Sequence, residues 1–135
     1  MSALNAMNIA IEAAERKRDA ARTALQERQR AQQAAQAQMD QLQGYAQEMQ
    51  ERWGAQEGLA VQSEVMHHQY QFMERLQHAI GLQTRVVSDQ NIRLDASRQA
   101  LLAAELRVSS LQKVVQARQR DLALTQMRRE QKETD

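Results

Sequence analysis

The chain has no cysteine, no proline, four glycines and four aromatic residues, one Trp, one Phe and two Tyr. Without cysteine there is neither a disulfide framework nor thiolate chemistry, as a reducing compartment permits. So few aromatic side chains argue against an ordinary compact core, which needs bulky groups to fill three dimensions. No apolar run approaches the roughly 20 residues that span a bilayer. Met1 to Ile11 lacks the charged-then-apolar order of a signal peptide, so a cytoplasmic location is expected. Neither sign of charge dominates: Lys and Arg number 18, Asp and Glu 17, for a net charge of +1. That balance gives no overall pull toward nucleic acid or an anionic membrane, and no aromatic stacking platform accompanies the basic residues.

What remains is rich in Ala, Gln, Glu, Arg and Leu, all of which favour helix. The spacing of apolar residues sharpens this. Alternate steps of three and four from Leu4 reach Met7, Ile11, Ala14, Arg18, Ala21, Leu25, Arg28, Gln32, Ala35, Met39, Leu42, Ala46, Met49 and Trp53. Only Arg18, Arg28 and Gln32 in this series are polar, and the register never slips, so a helical partner is required along the whole array. A second array advances by sevens through Leu59, Met66, Met73, Ile80, Val87, Leu94, Leu101, Val108, Val115 and Leu122. Its interleaved row is softer: Gln62, Gln69, Leu76, Gln83, Gln90, Ser97, Ala104, Leu111 and Arg118. One row of the second helix is therefore expected to be strongly buried and the other to form a mostly polar, weaker half of the seam.

Between the arrays lie Gly54 and Gly58, the strongest turn signal in the chain. Ser2 is a candidate N-cap for the first helix, and Ser63 with Glu64 a candidate restart for the second. Gly44 and Gly81 fall inside the arrays and read as tolerated helix positions. The expectation is a single all-α domain, a long antiparallel two-helix coiled-coil hairpin, with helices over about 3–53 and 61–132 and a loop over about 54–60. The second helix should overhang the first near the C-terminus, where an unpaired helix is marginal unless a partner receives it. In such a hairpin, opposed residues have index sums near 117 to 118.

No phosphate loop, exposed-serine elbow or metal-ligand spacing is present, so neither an enzyme nor a cofactor is expected. His67, His68 and His78 do not pair at three or four residues on one helical face, and read as solvated surface. Two basic groups stand near the chain ends: Arg16, Lys17, Arg18 and Arg22, and Arg128, Arg129 and Lys132. They are open to two readings. One is a solvated face paired with Glu12, Glu15, Asp19 and Glu130; the other is a docking surface for an acidic partner. Tyr45 and Phe72 flank the seam with indices summing to 117, beside Gln38, Leu42, Leu76 and Ala79. That group reads either as a widened core or as a partly exposed binding patch.

Particular stretches resemble a known family. Leu42-Gln43-Gly44-Tyr45 with Met49, the segment Tyr70 to Ile80, and the tail from Arg128 to Asp135 resemble the signature of the flagellar export protein FliJ family. The resemblance implies a soluble component of the flagellar type III export apparatus, folded like the gamma-subunit shaft of rotary ATP synthases. It implies insertion into the export ATPase hexamer, contact with the export-gate membrane protein FlhA, and binding of export chaperones, at the inner membrane of the flagellar base. The gate-contacting face maps onto Gln38, Leu42, Tyr45, Phe72, Leu76 and Ala79. Met49 stands where an aromatic is common, and Gln83 where His is often found. The basic groups at the chain ends become the ATPase-contacting end. A stalk protein of a virulence injectisome and a structural dimeric coiled coil are the alternatives. As a hairpin, the chain is expected to be monomeric in isolation.

Overall fold

The computed structural model describes residues 2–56 and 63–135. They form two long α-helices, α1 (Ser2–Gln56) and α2 (Ser63–Thr134), which pack against each other as an all-α hairpin. There is no strand among the described residues. The expected turn falls largely on residues outside the described set, as do Leu59 and Gln62 of the second array. α1 runs through Trp53 and Gly54 to Gln56, three residues beyond the expected end. A glycine inside a helix costs about 1 kcal/mol, which is too little to stop one already propagating. α2 begins at Ser63 and has Glu64 in its first turn, where a carboxylate complements the helix dipole.

By packing, the chain divides into a middle unit, Gln26–Ala96, and a terminal unit made of Met1–Leu25 with Ser97–Asp135. The seam of the middle unit is built from Ala35, Met39, Ala46, Leu76 and Leu94, all buried, with Arg28-to-Trp53 spacings alternating three and four as the sequence requires. In the terminal unit the buried residues are Ala14 from α1 and the stripe of Ala104, Val108 and Val115 from α2. Every member of the first array from Leu4 to Trp53 is buried or half-buried. Ala14, Ala21, Ala35 and Ala46 lie in the α1 stripe, so the core is thin, and among the described residues no side chain is completely enclosed.

The expected asymmetry of the second array is corrected. Its interleaved row is buried as deeply as the apolar one: Leu76, Gln83 and Ala104 are buried, and Gln69, Gln90, Ser97 and Leu111 are half-buried. From Gln69 to Val115 heptad position sets the burial, whatever the side chain, whereas Met66, near the start of α2, is 44% exposed. Gln83, 8% exposed, meets the cost by donating from Nε2 to the Ala35 carbonyl oxygen at 2.8 Å. Those two indices sum to 118, within the register expected for the hairpin. Gln90 is less well served, since its Oε1 is buried with no partner among the described residues.

A second correction concerns the end of that array. Val115 is buried, but Arg118 and Leu122 are exposed. In this register Gln116 falls opposite Ser2, the first described residue, so no described residue remains to cover the helix beyond it. All of 116–135 is exposed.

Candidate functional site

The heptad phase fixes which side chains flank the seam of the middle unit. On one flank α1 presents Gln29, Gln36, Gln43 and Gln50, and α2 presents Gln77, Thr84 and Asn91 with Tyr70; apart from that tyrosine the flank is polar. The other flank carries Ala31, Gln38 and Tyr45 from α1 and Val65, Phe72, Ala79 and Val86 from α2. Tyr45 is 48% exposed and Phe72 49%. Both aromatic side chains are thus left half open to water on the same flank of the seam. Gln41 donates from Nε2 to the Tyr45 hydroxyl oxygen at 3.1 Å, one turn away, which holds the phenol along the helix surface.

The six patch residues do not share one environment. Gln38, Tyr45 and Phe72 are exposed, Leu42 and Ala79 are half-buried, and Leu76 is buried in the seam. Leu76 thus supports the patch from beneath and presents almost none of its own surface. Val65 and Val86, each 43% exposed, were not among the expected site residues. They stand seven residues before Phe72 and seven after Ala79, so stepping the flanking position by sevens would have found them.

The expected basic end lies wholly within the terminal unit. Arg16, Lys17, Arg22, Arg128, Arg129 and Lys132 are exposed, whereas Arg18 occupies a seam position and is half-buried. Arg18 reaches Asp19 at 3.0 Å and Arg22 approaches the same carboxylate at 4.0 Å. Exposed pairs of this kind contribute about 0–1 kcal/mol. The expected pairs to Glu12, Glu15 and Glu130 are absent among the described residues. On the uncovered length of α2, Leu122, Leu124 and Met127 stand open beside Arg128 and Arg129.

Among the described residues no group of His, Cys, Asp and Glu is arranged to hold a metal, and no helix is long and apolar enough to cross a membrane.

The model of the family described as flagellar FliJ protein matches residues 5–135. The chain belongs to the flagellar FliJ family. The match takes in nearly all of α1, the whole of α2 and the tail, so this FliJ chain is a flagellar export-related protein built as a helical hairpin. The family is a non-catalytic helical component of export. No significant match is found among curated proteins or solved structures.

Proposed function

We propose that this FliJ chain is a non-enzymatic, stalk-like link in the flagellar export apparatus. It acts at the cytoplasmic side of the inner membrane, binding the hexameric export ATPase through its terminal unit and the export-gate protein FlhA through its middle unit. It also escorts export chaperones. The observation that carries this reading is the uncovered length of α2 past Val115. Helical segments without a packing partner are marginal in water, and this one exposes Leu122, Leu124 and Met127 among cationic side chains. Such a surface suits insertion into a ring that buries the aliphatic groups and meets Arg128, Arg129 and Lys132 with carboxylates.

The gate contact rests on Tyr45 and Phe72, exposed aromatic side chains of the type that anchors interfaces, with Gln38, Leu42 and Ala79 around them and Leu76 below. Co-purification of the chain with the hexameric ATPase, and separately with FlhA, tests both halves. Reversing Arg128, Arg129 and Lys132 to Glu should abolish ATPase capture and spare FlhA. Phe72→Ala should do the reverse. Equal loss of both, or of neither, would reject the division of labour.

A further inference from the structure

The apolar row of α2 repeats by sevens without exception from Met73 to Leu122. Sliding α2 by one heptad therefore puts another apolar residue at each of those seam positions, and only the interleaved row tells one register from the next. Two glutamines stand in that row one heptad apart, and they fare differently. Gln83 donates to the carbonyl oxygen of the small residue Ala35 at 2.8 Å, which sets opposed indices to sums near 118. In that register Gln90 stands opposite Arg28, a far larger residue than alanine, and its buried Oε1 has no partner among the described residues.

A second mismatch lies farther along the same helix. Leu122 belongs to the apolar row, yet it is 55% exposed, because no described residue of α1 opposes it. One movement answers both mismatches. When α2 slides seven residues along α1 in the direction of its own N-terminus, Gln90 comes opposite Ala35 and Leu122 comes opposite the half-buried Leu4. The displacement is about 10 Å. Six residues separate Gln56 from Ser63, a length that spans up to about 20 Å, so the slide requires no loss of helix. Against it stands Gln83, which comes opposite Leu42 and loses its acceptor.

We propose that α2 has a second register on α1, displaced by one heptad, in which Gln90 replaces Gln83 at the Ala35 carbonyl. The same slide carries Phe72 away from Tyr45, brings Ala79 opposite that tyrosine, and covers one more heptad of the exposed end of α2. A partner that needs this end uncovered thus holds the register that keeps Tyr45 beside Phe72, and the two contacts favour each other. That coupling rests on the function proposed above. The slide itself does not, and its test uses neither partner.

The chain has no native cysteine, so disulfides can trap each register. Ala14→Cys with Ala104→Cys joins positions opposed in the present register. Ala21→Cys with Ala104→Cys joins positions opposed only after the slide, and Met7→Cys with Ala104→Cys is offset equally in the other direction. Under mild oxidation of dilute chain, read on non-reducing gels, the first pair should close fastest and the second more slowly, within one molecule. The third should close at least about fivefold more slowly than the second, since only one direction of sliding gains a hydrogen bond. Adding Gln83→Leu should speed the second pair about fivefold, and Gln90→Leu should slow it by a similar factor. Closure of the first pair in each background shows that the hairpin is intact. Absence of closure in the second pair, closure of the third as fast as the second, closure only between molecules, or indifference of the second pair to both glutamine changes would overturn the proposal.

Discussion

Gln83, on α2, donates its side-chain N–H across the seam to the backbone carbonyl of Ala35 on α1, 48 residues away, at 2.8 Å. Met39 and Leu76 are buried in the same unit, and Gln83 is buried with them. A polar side chain at such a position gives up some stability and makes one alignment of the helices better than its neighbours. The Ala35 carbonyl also lies within α1, where the helical bond satisfies it, so removing Gln83 leaves no orphaned backbone group. Gln83→Ala should cost about 1–2 kcal/mol from the lost hydrogen bond and thinner packing. Gln83→Leu should equal or exceed the parent in stability. Urea unfolding checks the order, and a Leu variant weaker than the Ala variant would contradict it.

Leu76 and Phe72 separate stability from binding. Leu76 is 7% exposed and Phe72 is 49% exposed, although they lie one turn apart. Leu76→Ala should destabilise the hairpin by about 2–3 kcal/mol, the lower part of the range for buried leucine in a core this thin. Phe72→Ala should change the unfolding free energy by less than about 1 kcal/mol yet remove FlhA binding. Loss of FlhA binding by a Leu76 variant is therefore interpretable only beside its melting curve.

Gly44 and Gly81 sit at exposed positions inside the helices, and a Cβ built at either meets nothing within 4 Å. Neither has a positive φ. Replacing each by alanine should stabilise the protein by about 1 kcal/mol, from higher helix propensity and a less flexible unfolded chain. The two changes should add, because the sites share no partner. Thermal unfolding of the single and double variants is the check.

Amide hydrogen exchange should divide α2 at Val115. Protection should be highest from Leu76 to Val115, where the seam is buried, and lowest over 116–134, where no described residue covers the helix. Adding the export ATPase should slow exchange over 116–134 selectively. Unchanged exchange there would remove the ring-insertion reading.

The helical architecture was legible because seam geometry repeats with the sequence. The spacing from Leu4 to Trp53 named every buried or half-buried α1 seam residue in that array, including the polar Arg18, Arg28 and Gln32. Burial depth along α2 was not legible from residue type. Gln83 reads as a weak point, and only the nearby Ala35 carbonyl shows how it is accommodated. Leu122 reads as core, but its burial depends on whether α1 extends far enough to oppose it, which no local pattern encodes. For the patch, phasing brought Tyr45 and Phe72 to one flank, yet placed Leu76 with them when its heptad position turns it inward.

Every assignment of flank and patch depends on α1 and α2 lying antiparallel within one molecule, and the absence of native cysteine makes this directly measurable. Spin labels at Gln41→Cys and Arg75→Cys, both exposed and on the same flank of the middle unit, should give a double electron–electron resonance distance of roughly 20 Å, from adjacent helices plus label arms. That distance should persist on dilution with unlabelled chain. A distance near 50 Å, as 34 residues of uninterrupted helix would give, or a short distance that disappears on dilution, would contradict the account.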